Sequence, residues 1–292
     1  MFRSVLVPLD RSSFSEAALP LALAVARRAG AGLHLAEIHD LYELGDRHAG
    51  RVPYEPERDA ELRHRERLYL DATARWLALM SPVAIDAVAP SGTAVLPETV
   101  ADGLLEQARG VGADLIVMAT HGRGPLGRLV SGGIAHDLVR NAGVPVLLVP
   151  GGSTAGPFPE PVPEEVLIPL DGSPLAERVL EPALELAGLM EAPCVLLRVV
   201  RRGTASDEEQ ARVYLERVAR GARREGAEVR TRVVVARDVA AAVAAEAAGR
   251  SGTLVAIATH GRGPLARLFH GSVADELVRR ASGPLLVFHP VA

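Results

Sequence analysis

The stretch Ala119-Thr120-His121-Gly122-Arg123-Gly124-Pro125-Leu126-Gly127-Arg128-Leu129 puts glycines, a histidine and two arginines in one run. Nearly the same letters return as Ala258-Thr259-His260-Gly261-Arg262-Gly263-Pro264-Leu265-Ala266-Arg267-Leu268. Each copy follows an apolar run, Leu115–Met118 or Leu254–Ile257, and nine residues separate Gly122 from Gly132-Gly133 and Gly261 from Gly271-Ser272. A strand, a glycine loop and a helix start, in that order, aim backbone N–H groups at a phosphate. Arg123, Arg128, Arg262 and Arg267 would add charge-assisted contacts. The chemistry predicted is therefore nucleotide binding, built twice. The chain has no lysine, so a Walker A loop is excluded.

Such loops need strands and helices to hold them, and the pattern supplies a set in each half. Val5-Leu6-Val7-Pro8-Leu9-Asp10 returns 161 residues later as Val166-Leu167-Ile168-Pro169-Leu170-Asp171. Each is a short apolar run closed by an acid, the mark of a buried strand. Helix starts follow, at a capping box Ser13/Glu16 in one half and at Ser173-Pro174 in the other. Gly30 and Gly188 are the expected terminators of these helices. Second strands are predicted over 32–38 and 194–200, third strands over 84–88 and 229–235, and fifth strands over 144–149 and 285–288.

The first half carries about twenty additional residues, from His39 to roughly Arg58, marked as loop by Gly45, Gly50, Pro53 and Pro56. Its next helix, over 57–80, sets Leu62, Tyr69, Thr73, Trp76 and Met80 at helical spacing, and Tyr69, Trp76 and Met80 are read as core. The counterpart opens at a capping box, Ser206–Glu209, and buries Ala211, Leu215, Val218 and Ala222. Alternating strands and helices require parallel pairing, and hence two open sheets with helices on both faces. The expected division is a domain over 1–150, a Pro/Gly-rich linker over 151–163 and a domain over 164–292.

Composition narrows the function. The 292 residues are 48% hydrophobic and only 3% aromatic, which suits an aliphatic buried sheet. A formal net charge of −4 argues against nucleic acid as the main partner. No run approaches a membrane span of ~20 apolar residues, and the start of the chain lacks a signal-peptide core, so a cytoplasmic location is expected. The single cysteine, Cys194, lies in an apolar run and is read as a buried small hydrophobe. His39, His48 and His64 lack metal-site spacing.

The Pro-Leu-Asp strand ends, the Thr-His-Gly-Arg-Gly loops, their nine-residue spacing to Gly-Gly or Gly-Ser, and the closing strands together resemble the universal stress protein family over nearly the whole chain. The resemblance implies two tandem doubly wound α/β domains of strand order 3-2-1-4-5, Rossmann-like and of the adenine nucleotide alpha hydrolase-like type. It also implies pairing through the fifth strands, a homodimer, and binding of ATP, with or without Mg2+, in a subset of members. Carried over by position, Pro8, Leu9 and Asp10, and Pro169, Leu170 and Asp171, would meet the adenosine, while Ile38 and Val199 would offer backbone groups to adenine. Ala119, His121, Gly122, Arg123, Gly124, Gly132 and Gly133 would line the first phosphate site. Ala258, His260, Gly261, Arg262, Gly263, Gly271, Ser272 and Val273 would line the second.

Several of these readings have alternatives. Asp10 and Asp171 also suit turns before a helix, His121 and His260 suit loop histidines held by backbone, and Arg128 and Arg267 suit a solvated face. The halves also differ from each other. Gly133 stands where the second half has Ser272, which removes a hydroxyl, and Gly92 stands where it has Arg237. The second site is therefore expected to be the complete one. Catalysis is not evident, since one acid per half and some arginines do not supply the parts that phosphoryl transfer needs. The competing readings are a nucleotide-free partner module and a slow ATP hydrolase.

Overall fold

The computed structural model describes residues 2–37, 56–88, 97–120, 134–151, 162–201, 203–224, 226–250, 252–259, 276–277 and 283–290. Contacts divide the chain into two units, Met1–Ala142 with Gly151–Phe158, and Gly143–Pro150 with Pro159–Ala292. Among the described residues, no helix is long and apolar enough to cross a membrane.

In unit 1 the order is β1 (Ser4–Leu9), a 3-10 turn (Ser15–Ala18), α1 (Leu19–Ala29), β2 (Gly32–Glu37), α2 (Pro56–Met80), β3 (Ile85–Val88), α3 (Pro97–Gly110), β4 (Leu115–Thr120) and α4 (Ile134–Asn141). The strands stand in the order β3-β2-β1-β4, and β1 runs parallel to both neighbours. Val5, Leu6, Val7, Leu33, Leu35, Ile116 and Val117 have no exposed surface. These continuous aliphatic runs are what a parallel sheet covered on both faces requires.

Unit 2 takes in the fifth strand of the first half, β5 (Val146–Pro150), followed by β6 (Glu165–Pro169), α5 (Pro174–Glu177), α6 (Leu180–Met190), β7 (Cys194–Val200), α7 (Ala205–Arg224), β8 (Val229–Val235), α8 (Val239–Ala248), β9 (Thr253–Ala258) and β10 (Leu285–Phe288). Its order is β5-β10-β9-β6-β7-β8. The second half's own strands thus follow 3-2-1-4-5, the order expected. β5 pairs antiparallel with β10, Leu148 opposite Leu285 and Val146 opposite Val287. The two fifth strands therefore meet within one chain, and β10 is flanked on both edges, by β9 and β5.

Several local expectations need correction. The hydroxyl that serves the first helix start is that of Ser12 and not Ser13: Ser12 Oγ accepts the Ser15 N–H at 3.1 Å, and Phe14, which precedes the 3-10 turn, makes no side-chain cap. Glu16 does not reach back to complete a box, because its carboxylate takes the Tyr69 hydroxyl at 2.8 Å. Thr204, not Ser206, caps α7, accepting the Asp207 N–H at 3.2 Å and donating to its carboxylate at 2.7 Å. Ser173 caps α5 as expected, with Pro174 at the first position. Gly30 closes α1 at φ 64°, but Gly188 lies inside α6, which is ended by Glu191 at φ 55°.

The largest correction concerns α2. Trp76 and Met80 are not core, being 43% and 51% exposed. The buried face runs through Leu62, Glu66, Leu70 and Leu77 instead. That set is spaced i, i+4, i+8, i+15, as a single helical stripe should be. Glu66, Leu70 and Leu77 correspond to Ala211, Leu215 and Ala222 on the buried face of α7, 145 positions apart, while Val218 and Ala219 are buried on α7 alone. Aromatic content drew the reading to the wrong side of the helix.

Candidate functional site

The site is built where the strand order reverses. β1 lies between β2 and β4, with Val5 opposite both Leu33 and Leu115. β6 lies between β7 and β9, with Val166 opposite Cys194 and Leu254. Chain leaving β1 or β6 turns towards one neighbour while the fourth strand stands on the other side. In sheets of this kind, ligands are held in the crevice that such a reversal leaves at the carboxyl end. The first and fourth strands are neighbours in both units, so the Pro-Leu-Asp ends and the strands that lead into the glycine loops share an edge.

Of the candidate residues, Pro8, Leu9, Asp10 and Ala119 lie at this edge in unit 1, and Pro169, Leu170, Asp171, Val199 and Ala258 in unit 2. Pro8 and Leu9 pair with Ala36 and Glu37. Pro169 pairs with Leu197, and the Leu170 N–H continues the ladder to the Leu197 carbonyl at 2.8 Å. Ile38, His121, Gly122, Arg123, Gly124, Gly132, Gly133, His260, Gly261, Arg262, Gly263, Gly271, Ser272 and Val273 fall outside the described residues, as does Gly92.

Both aspartates serve their own turns. One Asp10 carboxylate oxygen accepts the Ser12 N–H at 3.1 Å and the Ser12 hydroxyl. Asp171 Oδ1 accepts the Ser173 N–H at 2.9 Å. A carboxylate that accepts the N–H two residues on closes the turn that aims the following helix. The Asp10 N–H itself donates to Ser15 Oγ at 3.2 Å. The turn reading of these residues is therefore present in the geometry, and it fixes the direction in which each chain leaves the crevice.

Sequence reasoning missed a polar cluster beside these turns. In unit 1, Arg11 follows Asp10 with a left-handed backbone, φ 62°, and its Nε lies 2.8 Å from the Glu37 carboxylate at the end of β2. Glu37 is buried, 2% exposed. Tyr69 on α2 donates to Glu16 at 2.8 Å. In unit 2 the equivalent of Arg11 is Gly172, φ 86°, and the equivalent of Glu37 is Arg198. Arg198 Nη1 donates to the Leu170 carbonyl at 3.1 Å, and the guanidinium lies so close over Gly172 that a Cβ there would stand 3.3 Å from Nη1. Tyr214, the equivalent of Tyr69, faces Arg198 at 5.8 Å and Arg217 at 5.4 Å from its ring centroid, within cation–π range. Arg217 pairs with Glu177, the equivalent of Glu16, at 3.0 Å.

The two tyrosines titrate in different company. Burial raises the Tyr69 phenol, and the carboxylates of Glu16 and Glu37 raise it further. Burial and Glu177 raise Tyr214, while Arg198 and Arg217 pull it down. The signal for this cluster was in the sequence. The same 161-residue offset that aligns Asp10 with Asp171 sets Arg11 against Gly172 and Glu37 against Arg198.

The fourth-strand ends also differ. The Thr120 carbonyl accepts the Gly151 N–H at 2.8 Å. The Phe14 ring lies so close to Gly151 that a Cβ there would fall 1.6 Å from it, and a side chain at 151 would require the ring to move. In unit 2, Thr259 donates its N–H to the Phe288 carbonyl at 2.9 Å, and its hydroxyl lies 3.1 Å from Nδ1 of the buried His289. Neither Gly151 nor His289 was singled out from the sequence.

Comparison with known proteins agrees with this architecture. A model described as the universal stress protein family matches residues 1–150 and 164–289. A universal stress protein of Mycobacterium tuberculosis is 29% identical over 185 residues, 60% of this chain and 61% of that protein, so the match spans about three-fifths of its length. One from Mycolicibacterium smegmatis is 28% identical over 68% of each chain, and one from Thermus aquaticus is 31% identical over 51% of this chain and 99% of its own. The crystal structure of a universal stress protein from Archaeoglobus fulgidus superposes with a TM-score of 0.75 at 16% identity, covering 99% of this chain and 98% of the other. A similar structure from Pseudomonas aeruginosa gives 0.65 at 18% identity, over 99% and 94%. With the family model covering both halves and the fold shared along the whole length, the chain belongs to the universal stress protein family.

Proposed function

We propose that this protein binds an adenine nucleotide, ATP with or without Mg2+, in the crevice of unit 2, and that it acts as a regulatory module without turnover. One observation carries the reading. β6 is flanked by β7 and β9, so Asp171, Val199 and the strand that leads into Gly261 meet at one carboxyl edge. The sequence places Gly261, Gly263, Gly271 and Ser272 directly after that edge. Backbone N–H groups and one hydroxyl bind phosphate without lowering any barrier. The Asp171 carboxylate already holds a turn N–H, which suits a positioning part better than a base.

The domains are taken as 1–150 and 164–292, joined by a linker over 151–163. Because the chain pairs its own fifth strands, a homodimer would have to use surfaces other than β10. Sedimentation of the full chain as a monomer would remove the dimer.

The test of the reading is mass spectrometry of the full-length protein as purified, after denaturation, together with calorimetric titration by ATP. An adenine nucleotide released on unfolding, or a saturable ATP heat, is the expected result. Neither a released nucleotide nor any heat would overturn it in favour of a partner-binding module.

A further inference from the structure

The two crevices carry corresponding clusters that differ in charge, because the buried acid Glu37 of unit 1 is the base Arg198 in unit 2. In unit 1, Arg11 is answered by Glu37 at 2.8 Å, and the Glu16 carboxylate remains beside Tyr69. In unit 2 the Glu37 position is Arg198, the Arg11 position is Gly172, and Arg217 already holds Glu177 at 3.0 Å. Among the described residues no carboxylate forms an ion pair with Arg198. Its one hydrogen bond there goes to the Leu170 carbonyl, which leaves most of the five N–H donors of a guanidinium unspent.

Where Arg198 sits matters as much as its charge. It immediately precedes Val199, at the carboxyl end of β7, and it lies over the turn Asp171–Ser173 that borders the crevice. Tyr214 backs the guanidinium from α7 and limits its swing. Gly172 makes the arrangement possible, because a side chain there would press on the guanidinium and would need φ 86°. In unit 1 the same place is filled by an arginine already neutralised.

We infer that Arg198 is a specificity residue of the unit 2 crevice. Resting on the nucleotide-binding reading above, it makes that site prefer an anionic nucleotide to the neutral nucleoside, while the Arg11–Glu37 pair withholds this preference from unit 1. A cation held by backbone and by an aromatic face, with donors to spare, adds a Coulombic attraction for phosphate that an uncharged adenosine does not share. A guanidinium also keeps its charge at every working pH.

The test is calorimetric titration of the full chain with ATP and with adenosine, at two salt concentrations. It compares wild type, Arg198→Met, Arg198→Lys and the double variant Gly172→Arg/Arg198→Glu, which writes the unit 1 arrangement into unit 2. In Arg198→Met the ATP affinity is expected to fall about tenfold, as loss of one nearby charge implies, with adenosine affinity within about twofold and a flatter salt dependence. Arg198→Lys restores most of the loss, and the double variant loses at least as much as Arg198→Met. An unchanged ratio of ATP to adenosine affinity overturns the inference. So does an equal fall for both ligands, which marks a structural role. A wild type that binds neither ligand instead overturns the nucleotide-binding reading on which the inference stands.

Discussion

The two units were built to one plan and then diverged where a ligand would lie. β1 and β6, α2 and α7, Tyr69 and Tyr214, Glu16 and Glu177 correspond in type and place. Arg11 and Gly172, Glu37 and Arg198 do not. Substitution in the buried first strands is conservative, Val5, Leu6 and Val7 against Val166, Leu167 and Ile168, because a parallel sheet covered on both faces favours aliphatic residues. At the carboxyl edge each unit satisfies its charge in its own way, Glu37 with Arg11 and Arg198 with the Leu170 carbonyl, and the sign changes. The difference teaches that the repeat preserves the scaffold and leaves the crevices free to specialise.

The equivalence of the scaffolds should show first in the cores. Leu70→Ala and Leu215→Ala each remove a side chain with essentially no exposed surface from matching helix faces. Each is expected to cost about 2–5 kcal/mol in denaturant unfolding. Trp76→Ala, on the other face of α2, is expected to cost less than about 1 kcal/mol, and emission from this single tryptophan should respond to soluble quenchers in the native state. A large loss at Trp76 would restore the face read from its aromatic character.

The crevices should respond unequally. Arg11→Ala leaves the Glu37 carboxylate, 3% exposed, without its arginine. Stability is expected to fall by about 3 kcal/mol, the cost of breaking a buried pair. Arg198→Ala orphans no described carboxylate and should stay within about 1 kcal/mol of wild type. Equal losses at the two positions would contradict the difference in charge between the clusters.

A smaller asymmetry lies at the start of the second strands, where Leu33 in unit 1 is matched by Cys194 in unit 2. Burial pushes the Cys194 thiol from its usual value near 9 up to about 12. Above pH 9 the unfolded chain gives up this proton and the folded one does not, so stability is lost as pH rises from about 9 to about 12. The loss attributable to the thiol, wild type minus Cys194→Val, is expected to be on the order of 2 kcal/mol near pH ~11. The same difference measured at pH 7 should show no pH-dependent part.

Much of this was legible in the sequence, for identifiable reasons. Parallel pairing followed from the alternation of strands and helices, the strand order seen in unit 2 was implied by the family resemblance, and Ser173-Pro174 and Gly30 announced helix ends through local chemistry. What was lost depended on tertiary competition. Glu16 was spent on Tyr69 and not on a capping box, and Gly188 was carried inside α6 because the helix packs on to Met190. Trp76 lies outward because the stripe through Leu70 and Leu77 covers the sheet. The site was half legible. Asp10 and Asp171 were found as strand-end acids, but their hydrogen bonds to Ser12 and Ser173 needed coordinates. The Arg11/Glu37 and Gly172/Arg198 exchange was overlooked because neither pair forms a motif within one half.

The central claim is that one crevice binds and the other does not bind equivalently. Its most direct measurement is the number of ATP molecules bound per chain by the full-length protein, compared for wild type, Gly122→Val and Gly261→Val. A side chain at either glycine would occupy the approach to the phosphates while leaving the sheet intact. One ATP per chain, kept in Gly122→Val and lost in Gly261→Val, is the result predicted. Two equal sites, or loss on Gly122→Val with binding kept in Gly261→Val, would contradict it.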